Sequence, residues 1–215
     1  MCLANPKTGL CAAFAPKRGS SRNPIIALAA PLALGWKGLK IARDIVSKHI
    51  SSPLETRYWS TVPSQLGTGP ARQAVKYSAR PCTPGTSIIP TDPGPDYLRE
   101  AMVRALDAGD ACFDFLVQPR APGMSVEDSR TEWTEDVAPF VKVATITIRR
   151  QVFSTPAQDA FCEDLSFTPW HSLPEHRPLG GVNRVRRAVY ESVAELRHTL
   201  NGTERHEPTG DERFP

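Results

Sequence analysis

The sequence predicts an α+β fold: one antiparallel, curved sheet of about four strands with helices flanking it. Three observations point there. Segments 57–66, 73–80, 112–118 and 139–149 are rich in β-branched and aromatic residues, alternate apolar with polar positions, and end at turn residues. Segments 97–108 and 184–200 instead repeat apolar residues at helical spacing. A content of 21 Pro against 14 Gly favours many short elements joined by stiff loops, and argues against a coiled coil or a helical bundle.

Taken in order, residues 1–23 are rich in Pro, Gly and Ser and carry no period, and 1–30 is assigned as a disordered or basic N-terminal segment. The apolar run Pro24–Trp36 is shorter than the about 20 residues that a bilayer span needs. Lys17, Arg18 and Arg22 precede it, as in a signal peptide, but no small-x-small cleavage site follows before Lys37. Leu34, Leu39, Ile41 and Ile45 predict a helix over 31–48. Strands at 57–66 and 73–80 are joined by a turn at Gly67–Pro70, and 83–95 is a Pro/Gly/Thr loop. Asp96 is placed to cap a helix at 97–108 with Leu98, Met102 and Leu106 on one side.

In 112–118, Phe113, Phe115 and Val117 oppose Asp114, Leu116 and Gln118, which reads as a half-buried strand. The clearest strand is 139–149. Segment 156–182 reads as irregular. A helix then follows on Val182, Val185, Val189, Val193, Leu196 and Leu200, with Asn183 as its N-cap and Asn201–Gly202 as its stop. That stripe is expected to pack inward. The acidic end, 203–215, is expected to be a solvated tail.

Charge narrows the function classes. Residues 1–50 hold eight Lys/Arg and one acid, a net +7, whereas 51–215 hold 18 Lys/Arg and 22 Asp/Glu, a net −4. A basic field over the whole protein for nucleic acid is excluded. The five cysteines, Cys2, Cys11, Cys82, Cys112 and Cys162, form no CxxC pair, which disfavours a zinc ribbon or a disulfide scaffold. Isolated reduced thiols in a cytoplasmic protein with no transmembrane segment are expected. N-terminal targeting, or a basic anchor, is the alternative that the +7 segment leaves open.

One constellation carries chemistry. Arg186 and Tyr190 stand four apart, one above the other on a helix, and Arg197, seven beyond Tyr190, returns to that face. A guanidinium beside a phenol favours the phenolate. Phenolate is a hard anionic donor for ferric iron, and tyrosine is a known axial haem ligand. Arg197 could neutralise a haem propionate from the same side. The pattern alone is common, since Arg-x-x-x-Tyr also suits a solvated arginine beside a tyrosine at the core edge.

The wider segment adds to it. HRPLGGVNRVRRAVY, 176–190, resembles the proximal haem segment of the catalase superfamily, in particular its branch of catalase-like haem-binding proteins that includes allene oxide synthase-type domains. Other features run in the family's order: Arg57–Gly67 resembles its aromatic-Ser-x-x-Pro-x-x-x-Gly strand and Val75–Pro81 the strand after it, followed by 112–117, TEWTEDVAPFVKVATITI and PWHSLPEHRPLG. The resemblance covers about 37–200. It implies half of an antiparallel catalase-type barrel over 31–202, a haem cofactor, Tyr190 as axial ligand to the iron, Arg186 as its partner, and Arg197 at the propionate. It also implies peroxide- or hydroperoxide-linked oxidoreductase activity.

The family's distal His and Asn are not found. Before Tyr58 the chain holds one His, His49, and Asn5 and Asn23 lie in unpatterned sequence. A truncated domain of reduced activity is therefore expected. A non-catalytic remnant that binds a partner, a complementing chain or a second copy of itself is the alternative. His171 and His176 could line the proximal pocket, or serve as loop donors to carbonyls. Asp128, Glu132, Glu135 and Asp136 have no ligand spacing and read as a solvated loop.

Overall fold

Two nine-residue strands, β3 (Gln73–Pro81) and β4 (Ala111–Pro119), form the centre of an antiparallel sheet, in register from Val75↔Pro119 to Pro81↔Phe113. The computed structural model describes residues 35, 36, 38–41, 43, 44, 47–206 and 209. β5 (Val141–Ile148) pairs with β4, while β1 (Tyr58–Trp59) and β2 (Ser64–Leu66) both pair with the far side of β3. All pairings are antiparallel, as the alternation predicts.

The expected strand at 57–66 is two short pieces. Thr61 takes a left-handed φ of 60°, and Pro63 has no amide to give to a ladder. Ser60 holds the detour by exchanging bonds with Tyr77: its N–H donates to the Tyr77 carbonyl at 2.9 Å, and its Oγ accepts from the Tyr77 N–H at 3.0 Å. On the other side of the sheet, Phe115 pairs with Ala144 and Leu116 with Lys142, which leaves Val143 unopposed. Such a bulge bends and twists its strand.

Helix α1 (Tyr97–Ala108) buries Leu106, with Met102 packed beside it, in a cluster with Leu54 and Phe113. Asp96 precedes it but does not cap through its carboxylate. Its φ of −105° and ψ of 11° are not the extended backbone that aims a capping side chain at the first turn. A second cluster joins Met124, Trp133 and Ala138. Gln118, buried, donates to the carbonyls of Trp133 at 3.0 Å and Ala138 at 2.8 Å. Leu116, Val117 and Gln118 are thus buried in succession. β4 is a central strand covered on both faces near its end, rather than half-buried.

The thiol expectation is also corrected. Cys82 and Cys112 form a disulfide, and among the described residues Cys162 is the free cysteine. The β3–β4 register, extended one step past Pro81↔Phe113, sets the two opposite each other, with Cys82 N–H donating to the Cys112 carbonyl at 3.1 Å. Thirty residues of sequence separate them, so no spacing motif announces the pair.

Helix α2 (Pro156–Asp164) lies in the stretch read as irregular. Thr155 and Gln158 make a reciprocal capping box and Pro156 opens the first turn, which is enough for nine residues without a clear apolar period. Helix α3 (Gly181–Asn201) begins two residues before Asn183, with Gly180 as N-cap, and stops as expected at Gly202 in the left-handed region. Its packing reverses the expectation. Val185, Val189, Val193 and Leu196 are 49–63% exposed, whereas Asn183, Ala194 and His198 are buried. α3 rests its other side on α2 and on the 165–170 segment, and the Val/Leu stripe is left exposed.

The chain divides into two units, 1–50 and 51–215. In the first, the described residues from 35 to 44, and Ser47, are helical, in keeping with the predicted 31–48 helix; its Leu34 and Ile45 lie outside the described residues, as does the 1–30 segment. Trp36 and Ile41 there are exposed. Among the described residues no helix is long and apolar enough to cross a membrane.

Candidate functional site

The start of α3 is tied to the β2 region by polar groups that no local pattern reveals. Asn183, 2% exposed, donates its amide to the carbonyls of Pro63 at 3.0 Å and Leu179 at 2.7 Å. Leu179 N–H donates to the Pro63 carbonyl at 3.0 Å, and Gln65 N–H to the Arg177 carbonyl at 2.9 Å. Arg177 Nε donates to Gln65 Oε1 at 3.1 Å, across 112 residues of sequence. Trp170 Nε1 donates to the Asn183 carbonyl at 3.2 Å. The residue expected to cap the helix therefore fixes it to the sheet instead.

Gly180 is required twice over. Its φ is +83°, and a Cβ there would come within 2.4 Å of the Val126 carbonyl oxygen. The Pro-Leu-Gly-Gly run before α3 thus sets the direction in which the helix leaves the sheet.

On α3 the three site residues named from the sequence have different surroundings. Arg186 is half-buried and Tyr190 is 39% exposed, one turn apart on the helix. Of the helix's four arginines, Arg184 pairs with Glu127 at 2.8 Å, Arg187 with Glu191 at 3.2 Å and Arg197 with Glu163 at 3.5 Å. Arg187 also lies over the Trp170 ring at 5.1 Å. Arg186 has no such anion among the described residues, and no described group hydrogen-bonds the Tyr190 hydroxyl. Arg197 is further held by the carbonyls of Leu165 at 3.4 Å and Cys162 at 3.5 Å, and by that of Glu163. It closes the C-terminal end of α2, where a cation meets unsatisfied carbonyls.

His171 lies in an exposed bend and His176 ends the short 3-10 helix Pro174–His176; their backbone N–H groups donate to the carbonyls of Thr168 at 3.1 Å and Leu173 at 2.8 Å. His198, not singled out from the sequence, is buried, with Ser166 Oγ at 3.1 Å from Nε2 and Thr203 Oγ1 at 3.0 Å from Nδ1. Its helical position beside Ala194 is the signal that could have shown it. His49 is exposed in the first unit, and Asn5 and Asn23 lie outside the described residues.

The acids of the 128–136 loop are dispersed. Asp128 is bound by Arg130 at 3.0 Å, whose side-chain hydrogen bond holds the carboxyl below its ordinary range. Glu135 pairs with Arg57 at 3.1 Å. Glu127 is likewise pulled down, by its hydrogen bond to Arg184. Among the described residues, no group of three or more His, Cys, Asp or Glu is placed to hold a metal ion.

What α3 offers is therefore a phenol, an uncompensated guanidinium one turn before it, and a bare apolar stripe beside them. Chemically these are an oxygen donor, a cation one turn from it and an exposed apolar surface.

No protein-family model and no curated protein matches the chain. Solved structures do match it. A fungal catalase superimposes with a TM-score of 0.58 over 70% of this chain and 32% of its own, at 15% identity. Catalase A from Saccharomyces cerevisiae gives 0.55 over 69% and 32%, also at 15% identity. A bacterial catalase gives 0.55 over 77% and 37%, at 15% identity. The chain has a catalase-like α+β fold and spans about a third of the length of the catalases it matches.

Proposed function

We propose that this chain is a catalase-like haem protein in which Tyr190 ligates the iron of a ferric haem, with Arg186 as the cation beside the phenolate. The single observation that carries the reading is the arrangement on α3: Tyr190 and Arg186 share one side of the helix, and neither is committed to another described group. The catalase-like fold supports it. In this reading 31–202 is the haem-binding part of the chain, with 1–30 and 203–215 on either side of it.

A bound haem would supply redox chemistry toward peroxide or a lipid hydroperoxide. The chain's own groups would do the following. The Tyr190 oxygen would hold the metal from one side. The Arg186 guanidinium would keep that oxygen anionic by a charge-assisted hydrogen bond. Arg197 would serve a propionate after exchanging its bonds to Glu163 and the end of α2. The Val/Leu stripe would exclude water along the helix. No distal His or Asn is recognised in the sequence, and general acid–base assistance is worth ~10²–10⁴ in rate, so turnover of peroxide by the chain alone is expected to be weak.

The exposed stripe of α3 and the exposed β5 favour a second reading, a partner-binding remnant without stable haem. Titration of the chain with ferric haem separates the two. Saturation at one haem per chain is expected, weakened but not abolished in Arg186→Ala. Binding that never saturates, or that Arg186→Ala leaves unchanged, would favour the remnant.

A further inference from the structure

We propose that the open edge of β5 pairs, antiparallel and about a two-fold axis, with β5 of a second copy of this chain. β5 closes the strand order and pairs with β4 alone among the described residues, so its outer backbone groups have no strand partner there. The register identifies which groups face outward. Cys82 N–H donates to the Cys112 carbonyl, so β4 residues of even number bond toward β3 and those of odd number toward β5. Phe113 thus bonds Ile146, and the N–H and C=O groups of Thr145 and Thr147 point away from the sheet.

The composition of the edge says what can occupy it. An edge that natural sequences keep solitary is broken by proline or lined with unpaired charge. Ala144–Ile148 reads ATITI, with no charge, no proline and high strand propensity. The basic residues that flank it are ion-paired within their own chain: Lys142 with Asp114 at 2.5 Å, a carboxylate it shares with Arg80, Arg149 with Asp110 at 3.4 Å and Arg150 with Asp107 at 3.7 Å. A two-fold axis through Ile146 sets Thr145 opposite Thr147 of the second copy, and Ala144 opposite its Ile148. No like charges then oppose each other across ATITI, and threonine pairs and β-branched neighbours are favourable cross-strand partners. One interface satisfies both open edges at once. A second copy is therefore the complementary occupant that the segment itself defines.

The test uses the full chain in sedimentation velocity across the micromolar range, with amide hydrogen exchange on the same samples. A concentration-dependent dimer is expected, with the Thr145 and Thr147 amides slowing as it forms. Thr145→Lys with Thr147→Lys sets like charges opposite each other at two places, and is expected to weaken the dimer roughly tenfold. Thr145→Lys with Thr147→Glu sets opposite charges there and is expected to restore it. Both positions are exposed in the single chain, and circular dichroism checks that each variant folds. A chain that stays monomeric throughout would overturn the proposal. So would a dimer that the double-lysine variant keeps while both amides exchange fast at every concentration.

Discussion

At the scale of single residues, the direction in which α3 begins depends on Gly180. A side chain at φ +83° is strained, and the Val126 carbonyl occupies the space a Cβ would take. Gly180→Ala is expected to cost about 2 kcal/mol or more, read from the denaturation midpoint. An unchanged midpoint would mean that the Pro-Leu-Gly-Gly run can leave the sheet another way. Asp114 offers a second, pH-dependent check. The hydrogen bond from Lys142, followed by that from Arg80, holds its carboxyl below the ordinary value of 3.8. A carboxyl depressed in the folded state contributes stability that is present above its unfolded pKa and is lost as pH falls through the folded one. Asp114→Asn is expected to be less stable than the parent near neutrality, with the difference closing below about pH 4. Both cations are about half exposed, so salt should shrink the difference. A gap that persists at low pH would assign the effect to packing.

At the scale of elements, period and alternation revealed most of the sheet and the extent of two helices. Strands β3, β4 and β5 fall close to where alternation predicts them. α1 and α3 likewise occupy their periodic segments. What the pattern did not reveal was the side on which α3 would be buried. Six apolar residues at steps of three and four normally mark the inward face. Here the inward face is held by Asn183, Ala194 and His198, and the apolar one is turned outward. Periodicity reports that a helix has an apolar side, and says nothing about what meets it. The prediction is direct: Val185→Lys and Val193→Lys should each shift stability by less than about 0.5 kcal/mol, the range of surface substitutions. A loss of several kcal/mol in chemical denaturation would mean that the stripe is covered. α2 was missed for the opposite reason. Its capping box, Thr155 to Gln158, is legible, but its apolar residues do not repeat.

Across the whole molecule, the resemblance read from HRPLGGVNRVRRAVY and the features ahead of it agrees with a catalase-like fold that comparison finds at only 15% identity. The contacts that no sequence pattern displayed join residues far apart in the chain: Asn183 on Pro63, Arg177 on Gln65, Cys82 on Cys112. Such pairs follow from strand register and from the path of the 170–180 segment, so no local window could display them. The Arg186–Tyr190 pair was legible because helix geometry alone puts both on one side. The measurement that tests the central claim most directly is the resonance Raman spectrum of the ferric haem-loaded chain, compared with Tyr190→Phe. The account predicts iron–tyrosinate bands in the parent and their complete loss in the variant, with circular dichroism unchanged. Identical haem spectra for the two proteins would contradict it, and would move the ligand to another residue, such as His171 or His176.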